Sequence, residues 1–309
     1  MYSIMENFTS IVDQHAAAAI LRTGEPEVVI EDGRRETYIL GADLEIPEEP
    51  ERSVSRGKAV NPVHHGRFPT IPYPGGKGRL APTLVSFMPP KGRLYLEPFV
   101  GRGNVFWAAA SSRLGFEKWA LNDIRTAPFF EAVRDIGDTI EVPLRSREEY
   151  YRQWAAFRQR DPAAILLEPY LTFGGGGYGK GGFGGKKSAN APGYTRTMRT
   201  CHALMRSTNA QVTGLDWESL DWASLGEEDF VFFDPPYIGG DVRAYKSDID
   251  YVQLVELLKG ARFRWMLIEY GSDIYLRELG PPRWTKEVQL IALQARRGGR
   301  RTECLWTSY

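Results

Sequence analysis

A regular exchange of short apolar runs with helical ones limits most strongly what this chain can become. "RLYLEPF" reads as a strand and is followed by Gly101 and Gly103. "NVFWAAASSRL" is rich in helix formers, "KWALND" is a second strand that ends in acid, and "APFFEAVRDI" is a second helix. The exchange resumes after residue 208, with "DFVFFD", "DYVQLVELLKG" and "RWMLIEY" as strand, helix and strand. Strands alternating with helices predict an α/β fold around a mostly parallel sheet. The chain closes on "VQLIALQARRGGRRTECLWTSY", an expected antiparallel pair around Gly298-Gly299.

The N-terminal part reads differently. A short helix is expected within residues 8–22, a hairpin around Asp32-Gly33, and a proline-rich, charged linker from 44 to 69. Net charge is zero over the 309 residues, yet residues 1–56 hold 12 Asp/Glu and 5 Lys/Arg, a balance of −7, which leaves +7 on the rest. An acidic leader before a basic body suits a polyanionic partner for the body; a solvated mixed surface is the alternative. The sequence has no apolar run long enough to span a membrane, and "MYSIMENFTS" lacks the pattern of a signal peptide. Cys201 and Cys304 stand far apart, and the four histidines lack ligand spacing. Neither a disulfide framework nor a metal site is expected, and a reducing, cytoplasmic setting fits best.

Three stretches carry candidate chemistry. In "LEPFVGRGNVF" (96–106) a strand, a Gly-x-Gly turn and a helix would bring backbone amides close to a ligand. The third glycine of the dinucleotide fingerprint is absent, since Phe106 stands there. Glu97 precedes the turn, where a carboxylate meets a cationic or hydroxyl-bearing ligand. Asp123 lies 20 residues beyond Gly103, the spacing of an acid that meets ribose; the alternative is that Asn122 or Asp123 caps the next helix. In "IPYPGGKGRL" (71–80), Gly75, Gly76 and Lys77 resemble part of a phosphate loop, but the Walker spacing and its Ser/Thr are missing, which disfavours ATP. In "VFFDPPYIGG" (231–240) a buried strand stops at Asp234, and two prolines follow that cannot donate to a ladder. This is either a plain turn or an acceptor presented at a strand end.

Taken in order, "PYPGGKGRL", "LEPFVGRGNVF", "LND" and "FFDPPY" resemble the DNA adenine-N6 methyltransferases of the Dam type, in the alpha arrangement of motifs. The resemblance covers roughly residues 69–309, and "TECLWTSY" is similar to the family's last strand. It implies a Rossmann-like, S-adenosylmethionine-dependent methyltransferase fold with a seven-stranded, mostly parallel sheet. It divides the chain into an acidic N-terminal extension (1–68), a catalytic domain (69–143 and 208–309) and an inserted helical, glycine-rich target-recognition region (144–207). It further implies that Tyr73, Gly75, Gly76, Lys77, Glu97, Phe99, Gly101, Gly103, Asp123 and Asp234 contact S-adenosyl-L-methionine, and that Asp234, Pro235, Pro236 and Tyr237 are catalytic. In that reading the Asp234 carboxylate and Pro235 carbonyl accept the N–H groups of a flipped-out adenine in double-stranded DNA, and Tyr237 stacks on its ring. Alternatives are methylation of RNA or of cytosine N4, and a catalytically silent DNA-binding subunit. A bacterial or phage restriction-modification setting is the expected context.

Two stretches depart from the resemblance. Residues 174–185 are nine-twelfths glycine, a composition that excludes helix or sheet core. Tyr178 and Phe183 alternate there with Lys180, and Lys186 and Lys187 follow. Aromatic and basic residues so placed suit phosphate tracking or the gap left by a flipped base; a solvated loop is the alternative. Glu269-Tyr270 stands where the family often has Ser-Asn, so an added carboxylate is expected near the site. In "QARRGGRR", Arg296, Arg297, Arg300 and Arg301 crowd one turn. Their repulsion would be relieved by a DNA backbone, or by the acidic leader.

Overall fold

The computed structural model describes residues 68–179, 182–185, 190–238, 249–289 and 300–309. The helix, hairpin and linker expected within residues 1–67 lie outside that range, as do Lys180, Lys186, Lys187, Arg296 and Arg297.

Every residue of the strand Asp229–Phe233 is buried, so this strand must be covered on both faces. It is the centre of a seven-stranded sheet. In chain order the elements are α1 (Ala81–Phe87), β1 (Lys91–Glu97), α2 (Asn104–Ser111), β2 (Gly115–Asn122), α3 (Ala127–Ile136), α4 (Arg147–Arg158), α5 (Pro162–Leu171), α6 (Ala191–Thr208), β3 (Gln211–Thr213), β4 (Asp229–Phe233), α7 (Tyr251–Gly260), β5 (Arg264–Tyr270), α8 (Asp273–Leu279), β6 (Trp284–Gln289) and β7 (Arg300–Thr307). The sheet order is β3-β2-β1-β4-β5-β7-β6. The first five strands run parallel, and β7 pairs antiparallel with both β5 and β6. This is the Rossmann-like, mostly parallel α/β sheet that the alternation predicts, closed by the expected antiparallel pair.

Two cores follow from the two-residue period of the strands. Leu94, Val231, Phe233 and Leu267 face one way and pack with Leu254 and Leu258 of α7 and Tyr275 of α8. Tyr95 and Phe230 face the other way into an aromatic layer. There Tyr95 lies 4.7 Å from Trp119 and 5.8 Å from Phe230, ring centre to ring centre, and Phe106 of α2 lies 5.8 Å from Trp119. On the helical side α1 packs on α2, and α3 packs on both α5 and α6. Asp161-Pro162 separates α4 from α5, and the Asp161 side chain accepts from Ala164 N–H at 2.9 Å to cap α5. Between β3 and β4 the chain makes two short 3-10 turns, at Trp217–Ser219 and Trp222–Ser224, and no α-helix.

Charges mark both ends of β4. At its start, buried Asp229 pairs with Arg93 and accepts from Gly226 N–H at 2.8 Å. Just past its end stands Asp234. The order of the sheet reverses between β1 and β4, so Glu97, which ends β1, and Asp234 lie at the same carboxyl edge, at the topological switch point where open α/β sheets bind ligands.

The turn after β1 depends on Gly103, which precedes α2 at φ 74°. A Cβ there would meet Phe130 at 2.9 Å and Trp107 at 3.0 Å. Gly103→Ala should therefore lower stability by about 1–3 kcal/mol through backbone strain and crowding. Urea denaturation of the variant and the parent measures the difference.

Candidate functional site

A buried bay opens at the carboxyl ends of β1 and β4. Pro74-Gly75 turns the chain here, with Gly76 N–H donating to the Tyr73 carbonyl at 3.0 Å and Gly75 at φ 73°. This turn delivers Lys77 into the bay, where the side chain is 6% exposed. Its Nζ lies 2.9 Å from Asp234 Oδ1, donates to the Gly75 carbonyl at 2.8 Å, and sits 4.3 Å from the centre of the Tyr237 ring. Burial works against the ammonium, but Asp234 and Glu303 outweigh it and raise Lys77 above its ordinary range. Burial pushes Asp234 up to about 6, and the nearby Lys77 opposes the rise.

Three elements hold the segment after β4. The Tyr251 hydroxyl of α7 donates to the Pro236 carbonyl at 2.8 Å. The Tyr237 hydroxyl donates to Glu303 Oε2 of β7 at 2.6 Å. The Ile238 N–H donates to Glu269 Oε1 of β5 at 2.6 Å, and the rings of Tyr237 and Tyr270 meet edge to face at 4.4 Å. Glu269 is wholly buried, its Oε2 has no hydrogen-bond partner among the described residues, and burial raises it to about 8. The carboxylate expected from Glu269 is thus present, behind the tetrapeptide backbone.

On the β1 side, Glu97 is 2% exposed and accepts from the hydroxyl of buried Tyr95. Burial raises Glu97 to about 8, against the favourable hydrogen bond. Gly101 N–H donates to Asp123 Oδ2 at 3.0 Å, while Asp123 Oδ1 accepts from Arg125 and Thr126 N–H, each at 2.9 Å. Asp123 thus ties the glycine turn to the turn that leads into α3; the cap of α3 itself is Thr126, which makes no side-chain cap bond, so neither Asn122 nor Asp123 is the helix cap. Asn122 is a separate clamp, donating to the Pro98 and Leu215 carbonyls and accepting from Thr213 and Leu215. Phe99 is half-buried against Trp217, 6.0 Å between ring centres. A Cβ on Gly101 would lie 3.0 Å from the Tyr73 ring, and burial raises the Tyr73 hydroxyl to about 12.

Sequence reading missed several supports. Asn104 exchanges two hydrogen bonds with the backbone of Ile71, at 2.9 and 3.0 Å, and so fixes the lysine segment to α2. Arg102, between the two glycines, turns away from the bay to pair with Glu168 of α5, both buried, and its carbonyl accepts from the Trp107 indole at 2.8 Å. These partners are 33 and 66 residues apart, so no local pattern could reveal them. Glu303 lies inside "TECLWTSY", which drew notice only as a strand.

The glycine-rich segment corrects an expectation. Tyr178 is buried between Tyr150 and Phe157, at 5.5 and 5.2 Å, and cannot stack on a base. Phe183 bridges to Thr172, with Phe173 N–H donating to Gly182 and Gly184 N–H to Leu171. Gly175, at φ 70°, comes so close to the Pro72 carbonyl that a Cβ would lie 2.0 Å from it. Glycine serves here for close approach to the lysine segment. At the other edge, exposed Arg301 lies 5.9 Å from the Tyr270 ring, one ring from Tyr237.

The described residues contain no cluster of His, Cys, Asp or Glu able to hold a metal, and no helix among them is long and apolar enough to cross a membrane. A mostly parallel seven-stranded sheet with an acidic bay at its switch point defines a Rossmann-like ligand-binding fold. Residues 73–153 match the family model of the D12 class N6 adenine-specific DNA methyltransferases, which supports methyltransferase activity. No curated protein matches the chain. Among solved structures, the rRNA methyltransferase aviRa from Streptomyces viridochromogenes is 17% identical over 83% of this chain and 95% of that one, with a TM-score of 0.34. A human methyltransferase 10 domain containing protein is 11% identical over 79% of this chain and 86% of that one, with a TM-score of 0.31.

The Arg102–Glu168 pair is a stability test of how α5 is joined to the glycine turn. Glu168→Ala should cost about 3–5 kcal/mol, because it strands a buried guanidinium. The double variant Arg102→Met/Glu168→Leu should recover most of that loss. Denaturant midpoints of the three proteins check both expectations.

Proposed function

We propose that the protein transfers a methyl group from S-adenosyl-L-methionine to the N6 amino group of an adenine in DNA, with the target nucleotide flipped out of the duplex. The observation that carries this reading is the rigid Asp234-Pro235-Pro236-Tyr237 segment, set at a strand end beside the Glu97–Gly103 turn. The match over residues 73–153 supports it.

The bay fits the methyl donor by charge. Glu97, Asp234, Glu269 and Glu303 gather there, and two of them are held largely uncharged by burial. A cationic ligand would favour their ionised forms. When bound, S-adenosyl-L-methionine supplies an electrophilic methyl group on a positively charged sulfur. Glu97, Phe99, Gly101, Gly103 and Asp123 would hold it, with Tyr73, Gly75 and Gly76 closing the bay. Asp123 would meet a ribose only by sharing oxygens already bonded to backbone N–H groups.

The chain's own part is to position the acceptor. An adenine amino nitrogen is a poor nucleophile because its lone pair is delocalised into the ring. Hydrogen bonds from its two N–H groups to the Asp234 carboxylate and the Pro235 carbonyl favour a more tetrahedral nitrogen. Tyr251 occupies the Pro236 carbonyl, and no donor among the described residues meets that of Pro235. Tyr237, held by Glu303, offers a ring face for the base. Such preorganised acceptors and alignment supply most of the rate. Helices α4 to α6 would serve target recognition, and Arg301 beside Tyr270 would put the β6–β7 hairpin against the DNA backbone.

Unmethylated DNA, RNA and labelled S-adenosylmethionine, followed by identification of the modified base, test the assignment. N6-methyladenine in DNA is the expected product; methylated RNA, N4-methylcytosine or no product would overturn it. Asp234→Ala and Asp234→Asn should each lose transfer by at least about a hundredfold while remaining folded. Because Asp234 titrates at about 6, protonation below that pH turns its carboxylate acceptor into a donor. Wild-type transfer should therefore fall as pH drops through about 6, which a pH–rate profile measures.

A further inference from the structure

The three N–H groups of the Lys77 ammonium have three partners: Asp234 Oδ1, the Gly75 carbonyl and the face of the Tyr237 ring. Two of these, the Asp234 carboxylate and the Tyr237 face, are the groups that the adenine reading assigns to the target base. The ammonium holds Oδ1 of that carboxylate and one face of that ring, so a base amino group that used the same oxygen and face would have to displace it. The contact with Gly75 lies on the lysine's own turn, so it survives if the flexible stem swings away from Asp234.

We propose that Lys77 is a positioning residue that stands in for the target amino group: in the ligand-free protein its ammonium fills the acceptor site of Asp234, keeps that carboxylate ionised, and is displaced when the base enters. This rests on the adenine reading above. It departs from the expectation that Lys77 contacts S-adenosyl-L-methionine, because the head group faces Asp234 and an aromatic ring.

The electrostatics of the bay give the reason for such a residue. Asp234 is faced by Glu97 from β1 and by Glu303 from β7, with the Tyr237 hydroxyl alongside; Glu269 and Tyr270 of β5 face Lys77 in turn. A buried carboxylate among other carboxylates takes up a proton unless a cation meets it. Protonated Asp234 would meet an incoming amino group donor to donor. Lys77 prevents this and hands over an ionised acceptor. Because its own amine is held protonated, it has no lone pair with which to attack the methyl donor, so the placeholder is not itself methylated.

The test uses Lys77→Met and Lys77→Gln, which remove the charge and keep much of the volume. In the protein alone, the Asp234 carboxyl carbon is titrated by NMR; its midpoint should rise by about one unit or more in both variants. On a duplex bearing the site that the wild type methylates, the acid limb of the transfer rate should move up by the same amount, with about a tenfold loss below it for each unit moved. With 2-aminopurine at the target position, the flipped state should be favoured severalfold over wild type, since no ammonium has to leave. A merely structural lysine would lower rate and base binding together and leave the acid limb where it was. An unchanged Asp234 midpoint overturns the proposal, and so does a loss confined to S-adenosylmethionine affinity, which would make Lys77 a cofactor ligand. If the wild type methylates something other than DNA adenine, the function assigned above fails on its own, and the carboxyl titration still decides whether Lys77 governs Asp234.

Discussion

The ion pair between Lys77 and Asp234 sits where the fold concentrates its hardest electrostatic problem. A fully buried β4, apolar from Phe230 to Phe233, carries the chain through the centre of the sheet and releases it at a carboxylate that is only 20% exposed. Three further acids, Glu97, Glu269 and Glu303, share the bay. Removing charge from water is costly, so each acid is either paired, hydrogen-bonded or protonated. Tyr95 supports Glu97, Tyr237 supports Glu303, the Ile238 N–H supports Glu269, and Lys77 supports Asp234. The geometry of the bay is the geometry of these four solutions.

Rigidity comes from elements outside the tetrapeptide. Proline fixes φ at two successive positions, but it fixes neither the direction of the segment nor the tilt of Tyr237. Those are set by α7, β5 and β7, through Tyr251, Glu269 and Glu303. The glycine turn after β1 is treated in the same way. Asp123 holds Gly101, Trp107 holds the Arg102 carbonyl, and Glu168 holds the Arg102 guanidinium. Through Glu168 and the approach of Gly175 to Pro72, α5 and the segment after it bear on both the glycine turn and the lysine segment.

The glycine-rich segment shows how composition can mislead. Nine glycines in twelve residues argue against regular structure, and the described residues there form no α-helix or sheet strand. Yet parts of the segment pack closely: Gly175 and Tyr178 are buried, while Gly174 and Gly182 stay exposed. Glycine permits the positive φ values at 174, 175, 177, 179, 182 and 185, and the lack of a Cβ lets Gly175 reach Pro72 and Gly179 reach Trp154. Aromatic residues between such glycines are drawn inward, which is why Tyr178 is core and unavailable to a base. A sequence rule that equates glycine with exposure fails where glycine is used for contact.

Local chemistry determined the elements of this protein: the apolar runs of β1, β4 and β5, the break at Asp161-Pro162, the turn at Pro74-Gly75, and the acids at strand ends. These depend on neighbours within a few residues, so the chain itself displays them. Helix α6 was not displayed in this way: Met198, Cys201 and Met205 recur three and four residues apart and are buried, but threonine and arginine around them obscure the spacing. Only the tertiary structure decided which acids meet, that Lys77 faces Asp234, that Arg102 turns to Glu168, and that Asp123 spends its oxygens on backbone N–H groups. Those outcomes join residues tens to more than a hundred positions apart. They follow from strand order and from the cost of burying charge, and neither quantity exists until the sheet has formed.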